Sequence, residues 1–136
     1  MTKEEFLLDM LDYYTVDPEE RRCRNDSNCW YSPETIDKKT SEGCAIGRKL
    51  DRELANRLDR RGIQCPIEDI LEDNRVNIEL PEWMYNLPHQ MLQDCQNLHD
   101  DSSNWIESGL SETGRITIST IIHNYELDKS KFEKYL

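Results

Sequence analysis

A chain of 136 residues, 36% hydrophobic and 33% charged, is predicted to fold as a single domain over residues 1–136 with an economical core. Its net charge of −11 argues against direct binding to nucleic acid, because phosphates repel an acidic surface. No apolar run is long enough to span a membrane, and the first residues are too acidic for a signal peptide, so the sequence predicts a cytoplasmic protein. A reducing cytoplasm would keep the five cysteines, at 23, 29, 44, 65 and 95, as free thiols.

The first predicted element is an amphipathic helix. Thr2 and Glu5 have the spacing of a capping box, and one face then carries an apolar stripe made of Phe6, Leu7, Met10, Leu11 and Tyr14. Asp17 and Pro18 can start another helical turn. The remainder of residues 1–37 is rich in turn residues around one short extended piece, Cys29–Tyr31, which we expect to pack against the core.

The segment 43–62 is predicted to be a Gly-Cys turn followed by helix. Within "SEGCAIGRKLD", small residues at Gly43 and Gly47 indicate that a neighbouring element packs closely, with Trp30, Tyr31, Trp83 and Trp105 as the large candidate partners. Apolar residues then recur every fourth position at Ile46, Leu50, Leu54 and Leu58, and Gly62 supplies a stop. This series fits either one helix or two short helices, the second capped by Asp51.

Residues 63–128 are predicted to be the helical remainder of the domain. The expected elements are a short helix from Pro66, an edge strand with Val76, Ile78 and Leu80, a helix from Pro88, a short helix bearing Trp105 and Ile106, and a last helix from Ser111. The tail, 129–136, is expected to fray. The predicted fold is therefore mainly α: a single compact domain of five or six short helices with a small extended or hairpin element.

The charge is unevenly distributed along the chain. Residues 1–37 sum to −6, 38–62 to +4, 63–112 to −10 and 113–136 to +1. The only basic island therefore contains the Gly-Cys turn. We expect this island to face the acidic tract within the fold or to lie in solvent.

Two chemistries could use the Gly-Cys turn. In the first, Cys44 at a helix N-terminus would be a nucleophile, His99 its base, and Asp100 or Asp101 the group that orients the base, as in acyl transfer or hydrolysis. In the second, Gly43 and Gly47 would let the backbone approach a nucleotide or another small anionic ligand, with charge supplied by Arg48 and Arg52. The competing interpretation is that Cys44 is a small buried apolar group, and the spacing is not that of a P-loop.

Zinc is a weaker candidate. Cys95 and His99 are one helical turn apart, but the chain has no Cys-x-x-Cys pair that would hold two thiolates at fixed geometry. We therefore predict no metal and no cofactor.

Four stretches, "CWY", "GCAIGRKL", "LQDCQNLHDDSSNW" and "GLSETG", resemble a diverse set of small proteins encoded by bacteriophages and bacteria. The resemblance extends from about Phe6 to Ile122 and is weakest between Gly62 and Pro81. The shared positions are Cys29, Tyr31, Gly43, Cys44, Ala45, Ile46, Gly47, Leu98, His99, Asp100 and Trp105. The resemblance implies relatives and a phage-type accessory role, not a reaction. If these positions are neighbours, Tyr31, His99 and Asp100 would form a buried polar cluster beside the Gly-Cys turn.

The sequence therefore favours a viral, non-enzymatic protein that acts by binding. An acidic surface complements a protein partner with a basic surface, such as a host enzyme that handles nucleic acid or serves in defence, which this chain would inhibit. The expected face is the acidic tract Glu68–Glu112. The alternative is an enzyme or anion-binding protein built on Cys44, Arg48, His99 and Asp100.

Overall fold

The computed structural model describes residues 1–23, 31–33, 41–60, 71 and 79–136. In these ranges the chain forms six α-helices: α1 (Lys3–Tyr14), α2 (Pro18–Arg21), α3 (Arg52–Arg60), α4 (Glu82–Asn86), α5 (His89–Asp100) and α6 (Glu112–Asn124). It also forms three short 3-10 helices, at Gly47–Lys49, Ser102–Asn104 and Lys129–Tyr135, and one antiparallel hairpin of strands β1 (Trp105–Ile106) and β2 (Gly109–Leu110). The predicted mainly α domain with a small hairpin is confirmed.

Helix α1 begins and packs as its sequence predicts. The Thr2 hydroxyl accepts the Glu5 N–H at 3.1 Å, and the Glu5 carboxylate accepts the Thr2 N–H at 2.9 Å. The whole apolar stripe is buried: Phe6, Leu7, Met10, Leu11 and Tyr14. These side chains join buried apolar residues of the other helices in one core. The capping box and the stripe are therefore confirmed.

The apolar series after the Gly-Cys turn is divided between two helices, which is one of the two predicted alternatives. The 3-10 turn Gly47–Lys49 ends at Leu50, whose extended backbone breaks the helix. Asp51 then caps α3, because its Oδ1 accepts the Leu54 N–H at 2.9 Å. Every member of the series is buried all the same: Ile46, Leu50, Leu54 and Leu58.

Trp105 and Ile106 form strand β1, and not the short helix that the sequence predicted. Residues 107–108 turn the chain into β2, where Gly109 adopts a φ of +136° that side-chain-bearing residues rarely reach. This reversal occurs before a helical turn can form. Ile106 pairs with Gly109, and Trp105 pairs with Leu110.

Helix α6 packs against the 3-10 turn Ser102–Asn104 at a glycine. A Cβ atom on Gly114 would lie 2.2 Å from the carbonyl oxygen of Asn104. Ser111 caps the helix by accepting the Gly114 N–H at 3.0 Å. The glycine therefore allows the close contact, although glycine in a helix costs about 1 kcal/mol relative to alanine.

The C-terminal tail packs against α1 in the structure. Residues 129–136, expected to fray, form a 3-10 helix over Lys129–Tyr135 in which Phe132 is fully buried. The Tyr135 hydroxyl donates a hydrogen bond to Asp12 of α1, and Lys134 forms an ion pair with the same carboxylate at 2.8 Å. The buried Phe132 side chain and the contacts of Tyr135 and Lys134 with Asp12 thus hold the tail against α1.

Some predicted elements lie outside the described residues: the extended piece at Cys29 and Trp30, the helix from Pro66, and the strand positions Val76 and Ile78. Cys65 lies outside them as well. Among the helices that the structure describes, none is both long enough and apolar enough to cross a lipid bilayer.

Candidate functional site

The Gly-Cys turn lies directly against the backbone of Tyr31. A Cβ atom on Gly47 would lie 2.0 Å from the Tyr31 carbonyl oxygen, and one on Gly43 would lie 2.4 Å from the same atom. Gly43 also has a φ of +120°, which favours glycine. The close packing predicted from these small residues is confirmed. The partner is the peptide backbone of Tyr31, however, and not an aromatic ring.

Asp59 holds that backbone in place. This residue of α3 is buried, and its two carboxylate oxygens accept the N–H groups of Tyr31 at 3.0 Å and Ser32 at 2.9 Å. Hydrogen bonds to a charged acceptor are stronger than those between neutral groups. Asp59 was not singled out in the sequence, since an acid on a polar helix is usually exposed.

His99 lies near the end of α5 and is fully buried, with a hydrogen-bond partner at each ring nitrogen. Its Nε2 accepts the Cys23 N–H at 3.3 Å, and its Nδ1 lies 2.8 Å from Asp100 Oδ1. Because a backbone amide can only donate, Nε2 carries no hydrogen, and in the neutral ring Nδ1–H donates to the carboxylate. This ring also contacts the Tyr14 ring in a T-shaped arrangement, with ring centroids 4.8 Å apart.

The same network reaches the Gly-Cys turn. Gln96, one turn before Asp100 on α5, donates to Asp100 Oδ1 at 3.0 Å and accepts the Ile46 N–H at 3.3 Å. The Tyr14 hydroxyl donates to the Gly43 carbonyl at 2.5 Å. Two predicted site elements, the turn and the His99–Asp100 pair, are therefore connected through Gln96 and Tyr14.

Arg22 caps the C-terminal end of α5. Its Nε donates to the His99 carbonyl at 2.6 Å and its Nη2 to the Asp100 carbonyl at 2.9 Å, while its guanidinium lies 5.8 Å from the centre of the Trp105 ring. The last carbonyls of a helix have no partner within the helix, and a cation there also favours the helix dipole. Arg22 is only 8% exposed, so its side chain is buried against the end of α5.

Trp105 and Asn104 complete this cap. The indole Nε1 of Trp105 donates to the Leu98 carbonyl at 2.9 Å, and Nδ2 of Asn104 donates to the same oxygen at 3.2 Å. The "LHD" stretch and the tryptophan that follows it are thus parts of one helix end. Their shared role here is to satisfy backbone groups that burial would otherwise leave unpaired.

The Cys44 and His99 side chains are enclosed in the core, whereas the Asp100 carboxylate is partly exposed. Cys44 is 1% exposed, and its sulfur accepts the Gly47 N–H at 3.3 Å. Since Nε2 of His99 already accepts from Cys23, the ring has no vacant position for a thiol proton. The arrangement stabilises the turn and the end of α5, and it offers a substrate neither an exposed nucleophile nor an available base.

This burial predicts slow alkylation of Cys44. In the folded protein near neutral pH, iodoacetamide should modify Cys44 at least about 100-fold more slowly than in urea, because the thiolate is the reactive form and the thiol is enclosed. Peptide mapping by mass spectrometry gives the rate at each cysteine. Cys95 is the internal control: it is fully buried, and burial, together with the neighbouring Asp94, raises its pKa. Rapid modification of Cys44 alone would support the nucleophile instead.

Arg48, the central cation of the predicted anion site, is paired with acids of the chain itself. Its guanidinium binds Asp9 of α1 and lies 3.3 Å from Glu42, and it stacks 4.2 Å from the centre of the Tyr13 ring. Lys49 also binds Asp9, at 2.5 Å. Gly43 and Gly47 are covered by Tyr31, and Arg52 is exposed at the first position of α3. The described cations at 48–49 therefore pair with Asp9 and Glu42, and with no acid of the 63–112 tract that the structure describes.

The pairing of Asp9 predicts a small loss of stability in acid. Partial burial raises the Asp9 pKa, but hydrogen bonds from Lys49 and Arg48 outweigh it and hold the pKa below its usual value. Because the folded pKa is depressed, the stabilisation is present above the unfolded pKa, about 4, and is lost as pH falls through the folded pKa. Asp9→Asn should lower stability by no more than about 1 kcal/mol at pH 7, since the acid is partly exposed.

Thermal melts of wild type and Asp9→Asn at pH 7, 5 and 3 check this expectation. The difference in Tm should be smaller at pH 3 than at pH 7. Glu133→Gln is the matched control, because Glu133 is exposed and pairs with no cation among the described residues. A difference for Asp9→Asn that is as large at pH 3 as at pH 7 would show that the variant loses something other than the ion pairs.

The stretch 79–112 is strongly acidic in sequence. It contains seven acids and no lysine or arginine. Four of its glutamates are exposed and form no ion pair with any residue that the structure describes: Glu79, Glu82, Glu107 and Glu112. We call these four the acidic set. The part of the predicted face before residue 79, apart from Leu71, lies outside the described residues.

Within the ranges that the structure describes, no group of three or more His, Cys, Asp or Glu side chains could hold a metal ion. The resemblance to small phage and bacterial proteins stays a prediction. Compared with protein-family models, with curated proteins and with solved structures, the chain matches none of them.

Proposed function

We propose that this protein is a non-enzymatic binding protein that acts on a macromolecular partner with a basic surface. The observation that carries the proposal is the acidic set: four exposed glutamates in a stretch without a lysine or arginine, with no ion pair to any described residue. The cations at 48–49, in contrast, are already bound to Asp9 and Glu42. The acidic set is therefore available to an external cation.

Unpaired exposed charge affects association more than folding. A group of exposed carboxylates raises the local concentration of a cationic partner and increases its rate of association. This attraction weakens as the salt concentration rises. Enzymes that handle nucleic acid present basic surfaces to phosphates. A partner of this class would lose access to its substrate when the acidic set covers that surface, so the proposed effect is inhibition of a nucleic-acid-handling or defence enzyme.

The proposed setting is the cytoplasm, of a host cell if a phage encodes the chain. The burial of Cys44 and His99 supports binding over catalysis, because neither side chain reaches solvent. The polar network around them supports a rigid scaffold that presents the acidic set.

Affinity capture from a bacterial lysate, with the purified chain as bait, tests the proposal. We expect a basic protein to be retained at 50 mM salt and released by 500 mM salt, since screening weakens exposed electrostatic contacts at these ionic strengths, roughly a threefold change in Debye length. A bait with all four glutamates of the acidic set changed to Gln should lose most of this capture. The control bait, Glu126→Gln with Glu133→Gln, removes exposed acids elsewhere and should retain it.

Two results would contradict the proposal. One is the absence of any specifically retained protein at low salt. The other is a complex that survives high salt or the substitution of the acidic set, because such a complex would depend on a different surface.

A further inference from the structure

A groove of about 470 Å³ lies between the first turn of α3 and the segment that leads into α4. Its apolar lining consists of Leu54, Leu80 and Pro81. Leu54 and Leu80 are each 7% exposed, so these side chains belong to the core and present only their edges to the groove. The volume falls within the range of 300–1,000 Å³ that is usual for binding pockets.

Carboxylates surround this apolar floor. Glu79 and Glu82, two members of the acidic set, line the groove from one side, and Glu53 lines it from α3. All three are exposed, and none forms an ion pair or a side-chain hydrogen bond with a described residue. Asp51 also lines the groove, although one of its oxygens caps α3. Arg57 is the only cation among the described lining residues.

We propose that this groove binds a basic peptide segment of the protein partner, in which an arginine or lysine side chain occupies the groove. The inference rests on the proposed function and assigns it a contact point. The methylene groups of such a side chain match the apolar floor, and its charged end matches the glutamates. Arg57 can donate hydrogen bonds to carbonyl oxygens of the bound backbone.

A long cationic side chain fits these observations better than a metal ion does. A divalent cation needs several oxygen ligands that converge at about 2–2.6 Å, and no group of three such side chains converges among the described residues. A groove with spread acids and an apolar floor instead suits a ligand that is apolar along its length and charged at its end. That description fits arginine and lysine.

Fluorescence anisotropy with a labelled peptide tests the proposal. The probe is a fluorescein-labelled peptide of sequence Gly-Gly-Arg-Gly-Gly-Arg-Gly-Gly, and the same peptide with glutamine in place of arginine is the neutral control. Wild type should bind the arginine peptide, and the double variant Glu79→Gln with Glu82→Gln should raise Kd at least about tenfold. The matched variant Glu107→Gln with Glu112→Gln removes two charges outside the groove and should raise Kd less than about threefold.

Circular dichroism melts of both double variants check that binding is compared between folded proteins. We expect both variants to fold, because all four side chains are exposed. Equal loss of binding in the two variants would contradict the proposal that the groove is the binding site, and it would leave intact the proposal that the acidic surface as a whole attracts the peptide. Equal binding of the neutral peptide would overturn the groove proposal as well.

The two proposals fail in different ways. If the chain captures a salt-sensitive basic protein but does not bind the arginine peptide, the groove is overturned and the proposed function stands. If the peptide binds in the groove but no partner is retained at low salt, the groove stands and the proposed function is contradicted.

Discussion

Replacing Gly47 with alanine should destabilise the protein by at least about 3 kcal/mol, at the upper end of the usual cost of overpacking. The new Cβ would lie 2.0 Å from the Tyr31 carbonyl oxygen and 2.6 Å from the Tyr31 carbonyl carbon. Real Cβ contacts are longer by an ångström or more, so either the turn or the Tyr31 peptide has to move. Such movement also disturbs the two hydrogen bonds from Tyr31 and Ser32 to Asp59.

A thermal melt measures the effect, and a fall in Tm of about 10 °C is expected for a domain of this size. Gly109→Ala is the matched control. At Gly109 the nearest atom to a new Cβ is 3.5 Å away, an ordinary contact, so only the cost of its left-handed backbone remains, about 1–2 kcal/mol.

The site of the damage can be checked independently. In Gly47→Ala the alkylation of Cys44 should become faster. Cys44 belongs to the same turn, and the same packing against Tyr31 keeps its thiol buried. A Gly47→Ala protein that melts like wild type would show that the Tyr31 backbone does not lie against the turn.

Local sequence signals predicted the parts of the fold that depend on neighbouring residues. The capping box of α1 involves residues three apart, and the apolar stripe follows the helical period, so both can be read without knowledge of the remaining chain. The small residues of the Gly-Cys turn likewise indicated close packing. The sequence could not indicate that the partner was a peptide group, because such a contact depends on how Tyr31 is placed by Asp59.

The position of the hairpin was mispredicted because its strands are too short to show a pattern. Two residues per strand give no alternation to detect, and Trp105 with Ile106 fits a helix equally well. The feature that decides the structure is Gly109 with its positive φ. A glycine after Glu107 and Ser108 was a usable signal for a turn at this position.

The charged residues of the site could not be assigned from sequence for a different reason. Arg22 and Asp59 both occur on polar segments where exposure is the usual outcome, and both are buried because they satisfy backbone groups far away in the chain. The pairing of Arg48 with Asp9 also joins residues 39 positions apart. Long-range pairs of this kind depend on the tertiary fold. The spacing of residues in a single sequence does not show which distant residues will meet.

Arg22→Ala should cost about 3 kcal/mol of stability, because it removes two charge-assisted hydrogen bonds, each worth about 1.5–3 kcal/mol, and recovers part of the cost of burying a cation. The bonds to the His99 and Asp100 carbonyls hold the end of α5, and the guanidinium also covers Trp105. The loss should be greatest in the last turn of α5, where amide hydrogen exchange of the helix end should become faster than that of α1.

Two further variants separate capping from charge and packing. Arg22→Lys keeps the cation but lacks the planar fork that reaches two carbonyls at once, so it should recover only part of the lost stability. Arg21→Ala removes the neighbouring cation, which donates to the Tyr13 carbonyl and stacks 4.7 Å from the Tyr13 ring, and should cost about 1 kcal/mol or less. If Arg21→Ala and Arg22→Ala were equally destabilising, or if Arg22→Lys behaved like wild type, the two hydrogen bonds to α5 would not be what makes Arg22 important. In that case the "LHD" stretch and Trp105 would need a role other than closing the end of this helix.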